Sequence, residues 1–292
     1  PNPSSSHTIG PMKAAKLFRE AAAQLPSGLF DGGPAEIKVS LYGSLSLTGK
    51  GHGADRAIIA GLLGQEPETC DIPWFAGLLS NPLEQYELGL PRLPVSVGAG
   101  AILFEKTSRD APYQNTMVFR LLAPGGRVLL EKESYSIGGG FILCKGEAEP
   151  SRPPPKHKYS NMETLKDIAV PRNLKAVDLL LENEMAITGL SESAIKDRLM
   201  RILDAMENAV ERGLNASGHL PGPIGLERKA PTLIHRARNM EHQADKFLVS
   251  LNAYAMAAAE ENAAGGRVVT APTSGAAGVI PGLLYLLKHH LN

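Results

Sequence analysis

The chain has 292 residues, which exceeds the usual size of one domain, so we expect two domains. Its 30 Lys and Arg residues balance its 30 Asp and Glu residues, and the formal net charge is +0. Aromatic residues make up 5% of the chain, and no basic run is interleaved with them. This composition argues against a nucleic-acid partner and against electrostatic binding to an anionic membrane.

The apolar residues and the cysteines further limit the class of protein that this chain can belong to. No run approaches 18 consecutive apolar residues, and no signal sequence opens the chain, so we expect no membrane association. Cys70 and Cys144 are the only cysteines and form no C-x-x-C pattern, which is typical of a reducing cytoplasm. Two thiols are too few for a self-contained thiolate metal centre, so we assign no metal ligand in this chain.

The first half of the chain shows both helix and strand patterns. Residues 1–11 contain too many helix breakers to be regular structure, although Pro11 suits the first turn of a helix. Apolar periodicity predicts helices at 12–25 and 57–63, while alternation predicts strands at 36–42, 101–104, 116–122, 127–136 and 140–144. Residues 1–146 are therefore predicted to form an α+β domain.

The second half reads as helical. A proline-rich, polar stretch at 147–160 predicts a linker, and residues 161–292 predict an all-α catalytic domain. Ser191 is the expected N-cap of one helix, and Val279 to Leu287 predicts the start of a buried helix. Because the chain stops soon after that helix begins, we expect the helical domain to be incomplete.

Three loops carry the residue types that chemistry needs, at 4–8, 48–55 and 270–278. Two of them contain a histidine, His7 or His52, and histidine is the usual proton-transfer group near neutral pH. Hydroxyl groups beside free backbone N–H groups can hold a carboxylate. Each loop also has a structural reading: His7 could cap the next helix, His52 could be solvated, and Ser4 to Ser6 could be a tail. His219 lies in a predicted turn and stays a weak candidate, while the remaining histidines, including His157 in the linker, are expected on solvated surfaces.

The residues 260–278 allow two readings by themselves. They contain a glycine pair, an arginine, threonines and a serine, which is the composition of a site where a ligand approaches the backbone. The same residues also fit a helix end, a connection and a following helix. No glycine-rich dinucleotide motif or P-loop is present, and Lys50 has no phosphate-binding loop to make it a pyridoxal-phosphate lysine.

Four segments taken together resemble the iron–sulfur-dependent L-serine dehydratases, also called L-serine ammonia-lyases. They are Pro3-Ser-Ser-Ser-His-Thr-Ile-Gly-Pro-Met12, Leu41-Tyr-Gly-Ser-Leu-Ser-Leu-Thr-Gly-Lys-Gly-His-Gly53, Tyr135-Ser-Ile-Gly-Gly-Gly-Phe141 and residues 262–278. The resemblance runs in order over nearly the whole chain. It indicates the single-chain type of this enzyme, with fused beta-type and alpha-type domains.

The resemblance implies a lyase that needs no pyridoxal phosphate. L-Serine loses water to give aminoacrylate, which collapses to pyruvate and ammonia, a step of serine catabolism that feeds gluconeogenesis. A [4Fe–4S] cluster is expected to act as Lewis acid on the leaving hydroxyl. His7 and His52 are the implied proton-transfer groups, with the choice between them open. The implied substrate-binding residues are Ser4, Ser5, Ser6, Thr8, Thr270, Thr273, Ser274 and Gly275.

Two departures from the family pattern qualify these expectations. Family members often have Asn or Cys where this chain has Ser274. The cluster cysteines of the family lie downstream of the Thr-Ala-Pro-Thr segment, and Cys70 and Cys144 do not match them. We therefore expect a C-terminally truncated enzyme that is inactive by itself. The alternatives are a non-catalytic serine-binding or regulatory fragment, and a preference for L-threonine or L-cysteine. A homodimer is expected from the apolar content.

Overall fold

The computed structural model describes residues 5–26, 33, 35–90, 94–107, 109–147, 152–222, 224–271 and 274–290. Within these residues, the chain forms two compact units. The first joins Pro1–Glu147 with Glu207–Asn292, and the second is Ala148–Met206. The fold class predicted from sequence is confirmed, because a mixed sheet region is followed by a helical region.

The N-terminal part of the first unit is built on one mixed sheet. Its strands are β1 (Ala35–Leu41), β2 (Gln85–Glu87), β3 (Val95–Gly98), β4 (Ile102–Phe104), β5 (Thr116–Leu122), β6 (Val128–Gly138) and β7 (Phe141–Cys144). The order is β2-β3-β1-β5-β6-β7, with β4 also paired to β1. β1 runs parallel to β3 and β4 and antiparallel to β5, so it lies at the centre of the sheet.

Four helices accompany this sheet: α1 (Gly10–Ala23), α2 (Ser44–Thr48), α3 (Ala54–Leu62) and α4 (Ile72–Gly77). α1 and α3 bring small and apolar side chains together, and Phe18 of α1 stacks on Phe119 of β5 with ring centroids 5.4 Å apart. Ile37, Val39 and Leu41 of β1 are buried in the same core. The core therefore fixes the start of α1, and with it the preceding His7 segment.

Sequence prediction failed locally in three places. Residues 5–9 form a wide helical turn that leads directly into α1, although prolines and serines indicated irregular structure. The glycine-rich loop at 48–55 is instead α2, a 3₁₀ turn at Lys50–His52 and the start of α3. β2 and β3 were missed because they are short and lie among prolines. The remaining strands agree with the prediction to within two residues.

The C-terminal part of the first unit packs α8 (Ala230–Arg238) and α10 (Ser274–His290) against α9 (Gln243–Ala263). Glycines permit the close approach, since a Cβ on Gly282 would lie 2.5 Å from the Ala255 nitrogen. The prediction of a buried helix at Val279 to Leu287 is only half right, because Val279 is 55% exposed and Leu286 is fully buried. No helix within the described ranges is long and apolar enough to span a bilayer.

The second unit contains α5 (Met162–Ala169), α6 (Ala176–Thr188) and the first part of α7 (Glu192–Asn215). Asn161 caps α5 with a reciprocal capping box, and Ser191 Oγ accepts from the Ala194 nitrogen near the start of α7, as predicted. The expectation that His157 is solvated is wrong. Its ring is buried, with Nε2 2.5 Å from Glu182 Oε2 and its backbone paired to Asn183.

Gly61 of α3 lies against the backbone of α1. A Cβ there would lie 2.1 Å from the Met12 carbonyl oxygen. Gly→Ala inside a helix gains about 1 kcal/mol in propensity, but this backbone contact cannot relax cheaply, so we expect Gly61→Ala to lower the free energy of unfolding by about 1–2 kcal/mol. Gly51→Ala, which meets nothing within 4 Å, is the matched control in urea denaturation. Equal effects of both variants would contradict this packing argument.

Candidate functional site

His7 lies at the centre of a cluster of hydroxyl groups. Its ring is buried, with 8% exposure. Ser6 Oγ is 2.8 Å from Nδ1, while Ser44 Oγ and Thr48 Oγ1 are 3.1 Å and 3.0 Å from Nε2. Both ring nitrogens are thus within hydrogen-bond reach of side-chain hydroxyls. A role for His7 as a helix cap alone does not account for these contacts.

α2 supplies two of the hydroxyls because of its spacing. Ser44 and Thr48 are four residues apart, which places them on one face of the helix, toward His7. Thr48 Oγ1 also donates to the Ser44 carbonyl oxygen at 2.9 Å. A threonine hydroxyl has one hydrogen, so while that bond is made Thr48 can only accept from His7. This arrangement favours the neutral tautomer with the proton on Nε2, which leaves Nδ1 as the basic nitrogen beside Ser6.

His52 lies next to His7, as the sequence-based reading required. The two ring centroids are 5.2 Å apart. The contact is fixed by Thr8, whose hydroxyl donates to the His52 carbonyl oxygen at 2.9 Å. The 3₁₀ turn that carries His52 ends at Gly53, which has a positive φ of 72° and lets α3 begin immediately. Two segments separated by more than 40 residues thereby present both imidazoles together.

The surroundings of His7 keep its ring neutral. Burial lowers its pKa below the ordinary value of 6.5, a hydrogen bond to Ser44 raises it in part, and the neighbouring His52 lowers it again. An imidazole with a lowered pKa is neutral at pH 7 and can accept a proton. This protonation state is the one that a general base needs.

The pH dependence of the free energy of unfolding should show the lowered pKa of His7. The unfolded chain takes up a proton on His7 near pH 6.5 and the folded chain only at lower pH, so stability is lost as the pH falls through 6.5 toward the folded-state pKa. We expect ring NMR to give His7 an apparent pKa below 6.5. We also expect His7→Gln to remove that component of acid destabilisation. A His7 titration above 6.5 would contradict the assignment.

A pocket adjoins this cluster and is lined in part by Thr270, the first residue of the predicted third loop. Its volume is about 80 Å³, and its lining residues include Thr8, Ile9, Cys70, Arg267 and Thr270. One water needs roughly 10–15 Å³ on this measure, so the space admits a small molecule or several waters. Most of the lining side chains are apolar, and polar recognition falls to the two threonines, Arg267 and the backbone of residues 265–268.

An ionic network holds the glycine-rich segment in place. Glu261 is buried and accepts from Arg212 Nε at 3.1 Å and from Arg228 Nη1 at 3.2 Å. Arg212 also donates to the Arg267 carbonyl oxygen, and a Cβ on Gly266 would lie 2.7 Å from Glu261 Oε2. These contacts hold Gly266 and Arg267 against the end of α9, and a side chain at position 266 would crowd the Glu261 carboxylate.

Arg267 connects this segment to the sheet region. Its Nη2 donates to the Cys70 carbonyl oxygen at 2.7 Å, a contact across 197 residues of sequence. The pocket is lined from both sides, by residues 265–270 and by the turn at 5–9. Sequence reasoning did not assign Arg212, Arg228, Glu261 or Arg267. Ser44 and Thr48 were also unassigned, although their i, i+4 spacing was a usable signal.

The other predicted substrate-binding residues are only partly placed. Ser4 and Thr273 lie outside the described residues, and the side chains of Ser5 and Ser274 also lie outside what the structure describes. Ser274 is the first residue of α10, and Gly275 follows it with an exposed backbone. The structure thus brings together Ser6, His7, Thr8, His52 and Thr270. The roles of all these residues stay predictions.

The cysteines do not fit a cluster site. Burial raises the pKa of both the Cys70 and the Cys144 thiols, which disfavours the thiolate form that iron requires. Cys70 Sγ points to the Asp71 carbonyl oxygen at 3.7 Å, and Cys144 Sγ lies 3.6 Å from Ser134 Oγ. Within the described part of the chain, no group of three or more His, Cys, Asp or Glu side chains could hold a metal ion.

Comparison with known proteins defines the class. The family model for the serine dehydratase beta chain matches residues 1–147, and the model for the serine dehydratase alpha chain matches residues 171–292. The chain belongs to the serine dehydratase family, with beta-type and alpha-type parts in one polypeptide.

Several curated proteins are similar over almost the whole chain. It is 36% identical to the L-serine dehydratase of Haemophilus influenzae and 38% identical to L-serine dehydratase TdcG of Escherichia coli, in each case over 97% of this chain and 63% of the relative. The L-serine dehydratase of Streptomyces coelicolor is 34% identical over the same shares. The chain therefore spans a little less than two thirds of the length of these relatives.

Proposed function

We propose that the protein carrying this chain is an L-serine ammonia-lyase, which converts L-serine to pyruvate and ammonia. The observation that carries the proposal is the buried His7 ring, held among three hydroxyls beside His52. The family and the names of the relatives support the same reaction. The proposed cellular role is serine catabolism in the cytoplasm, feeding gluconeogenesis.

The proposed reaction begins with removal of the α-proton of L-serine. The neutral imidazole of His7, whose pKa is lowered by burial, accepts this proton at Nδ1 or through Ser6 Oγ. His52 is the second candidate for the same role. The hydroxyl of Thr8, the residues 265–270 and the start of α10 would position the carboxylate and amine. The predicted Ser4, Ser5, Thr273, Ser274 and Gly275 are part of this proposal.

The family resemblance implies a [4Fe–4S] cluster as the Lewis acid for the β-hydroxyl, and no pyridoxal phosphate. We propose this cofactor for the whole protein. Cys70 and Cys144 do not fit as its ligands, because both thiols are buried with raised pKa values. No residue of this chain is therefore assigned to the cluster. We also propose two domains, at 1–146 and 161–292, joined by a linker at 147–160. We further propose a homodimer, which sedimentation velocity would test.

The test of the function is product formation. Protein expressed from the complete coding sequence, purified and reconstituted anaerobically with iron and sulfide and without pyridoxal phosphate, is assayed with L-serine. We expect pyruvate and ammonia in equal amounts, and none from D-serine. Faster turnover of L-threonine or L-cysteine would correct the substrate. Absence of pyruvate from reconstituted protein that binds L-serine would overturn the lyase and favour a serine-binding regulatory protein.

A further inference from the structure

Two buried polar atoms beside the His7 segment have no hydrogen-bond partner among the described residues. They are Asn115 Oδ1 and Ser136 Oγ. Ser136 is 3% exposed, and an unpaired buried polar group carries a desolvation cost. Neither atom belongs to the histidine cluster described above. Ser136 lies in the Tyr135–Phe141 segment, which the family resemblance singled out and to which no role has been assigned.

The two residues lie directly opposite each other. The antiparallel ladder pairs Thr116 with Tyr135, and the Ser136 nitrogen continues it by donating to the Asn115 carbonyl oxygen at 2.9 Å. Directly opposed residues place their side chains on the same face of a sheet, about 5 Å apart. The two unpaired oxygen atoms therefore belong to neighbouring side chains on one face of the sheet.

The face that they share is the face covered by α1. Side chains alternate along β6, so Ser136 projects on the same side as Ser134, which the ladder pairs with Met117. Phe119 stacks on Phe18 of α1, and Met117 is fully buried in the same core. Asn115 and Ser136 are therefore directed toward the layer in which the turn at 5–9 and α1 lie.

Two close contacts place the pair next to the His7 cluster. On one side, a Cβ on Gly43 would lie 2.0 Å from the carbonyl oxygen of Gln114, and Gly43 directly precedes Ser44. On the other side, a Cβ on Gly140 would lie 2.7 Å from Ile9 Cγ2, and the turn at 5–9 packs on β6. The pair thus lies between the two segments that position His7.

The chemistry of the two atoms selects the ligand group. An amide oxygen only accepts hydrogen bonds, and a hydroxyl oxygen can also accept. Two neighbouring acceptors match a group with several donors, and an ammonium has three. A carboxylate would be repelled by the amide oxygen of Asn115, which can only accept hydrogen bonds.

We propose that Asn115 Oδ1 and Ser136 Oγ bind the α-ammonium of the substrate amino acid and orient its Cα–H bond toward the His7 cluster. This rests on the proposed function. The ligand-free fold carries the cost of two unpaired oxygens, and substrate binding relieves it. Asn115 and Ser136 are binding residues, and proton transfer remains with the histidines.

The test compares ligands that differ by one group. Calorimetry on the 292-residue chain measures the Kd of L-serine, of 3-hydroxypropanoate, which lacks the ammonium, and of L-alanine, which lacks the hydroxyl. We expect Ser136→Ala and Asn115→Leu each to weaken L-serine and L-alanine by about 10- to 100-fold, since hydrogen bonds to charged groups contribute this much. Binding of 3-hydroxypropanoate should be unchanged. Asn115→Asp keeps an acceptor and should retain the affinity for L-serine.

Ser134→Ala is the matched control. Ser134 lies on the same strand and face, but its Oγ is paired with Cys144 Sγ, so its loss should leave all three affinities unchanged. A second readout is thermal: Ser136→Ala should raise the unfolding midpoint of the ligand-free chain by a few degrees, because it removes an unpaired hydroxyl.

Each other outcome overturns the proposal. Equal weakening of L-serine and 3-hydroxypropanoate indicates a structural role. If the variants bind L-serine more weakly but bind L-alanine as tightly as wild type, the pair contacts the β-hydroxyl and not the ammonium. Unchanged affinities with a lowered unfolding midpoint indicate a site for a structural water. If the wild-type chain binds neither amino acid, this assignment fails, and the pyruvate assay on protein from the complete coding sequence decides the proposed function separately. If the wild-type chain binds L-serine and the variants bind it equally well, only the assignment of Asn115 and Ser136 is overturned.

Discussion

Replacing His7 with asparagine is expected to lower kcat for pyruvate formation from L-serine by about 10²- to 10⁴-fold, the usual contribution of a general base. Asparagine preserves a polar group near the position of Nδ1, within reach of Ser6, so the fold should survive. KM should change much less than kcat, because the ring is proposed to act on the α-proton. The measurement is steady-state kinetics on protein from the complete coding sequence.

His52→Asn is the matched comparison for this experiment. The His52 ring centroid is 5.2 Å from that of His7, so both variants alter the same cluster. If His7 is the base, His52→Asn keeps more activity and shifts the acid limb of the kcat profile to higher pH, because one lowering influence on the His7 pKa is lost. If His52→Asn is the more damaging variant, the base is His52.

Removing the carboxylate of Glu261 is expected to be the most destabilising single change in the C-terminal helices. Glu261→Ala leaves the buried Arg228 guanidinium, with 9% side-chain exposure, without its carboxylate. Breaking a buried ion pair by removing one partner costs about 3–5 kcal/mol. Urea denaturation should show this loss, with Glu261→Gln less affected because its amide oxygen still accepts a hydrogen bond.

An exposed ion pair is the control for Glu261. Glu192 and Lys196 form an i, i+4 pair on α7 with exposed side chains, and Glu192→Ala should leave the denaturation midpoint nearly unchanged. The Glu261 variants should also weaken L-serine binding, since Glu261 supports the backbone of Gly266 and Arg267. A Glu261→Ala chain as stable as the Glu192→Ala chain would contradict the buried network.

Local patterns predicted most of the secondary structure. Alternation gave β5 at Thr116–Leu122 without error, and helical periodicity found α1 and α3 to within a few residues. The failures have physical causes. The turn at 5–9 depends on its contacts with α1 and β6 rather than on its own proline-rich sequence. The 3-residue strand β2 has too few residues for a period to be visible.

The candidate site was predictable only where residue type carries chemistry. His7 and His52 stood out as loop histidines, and the structure brings their rings together. The partners that position the site are distant in sequence: Glu261 meets Arg212 across 49 residues, and Arg267 meets Cys70 across 197. No local pattern encodes such pairs. Asn115 and Ser136 become conspicuous only when burial shows that they lack partners.

L-Serine is proposed to bind against the His7 cluster and the residues 265–270. Intermolecular NOEs between ¹³C-labelled L-serine and the protein test it most directly, because they report where the ligand lies without requiring turnover. We predict NOEs from the α and β protons of L-serine to the His7 ring and to Thr8 or Thr270. NOEs confined to another part of the chain, such as the opposite sheet face around Glu133, would contradict the claim.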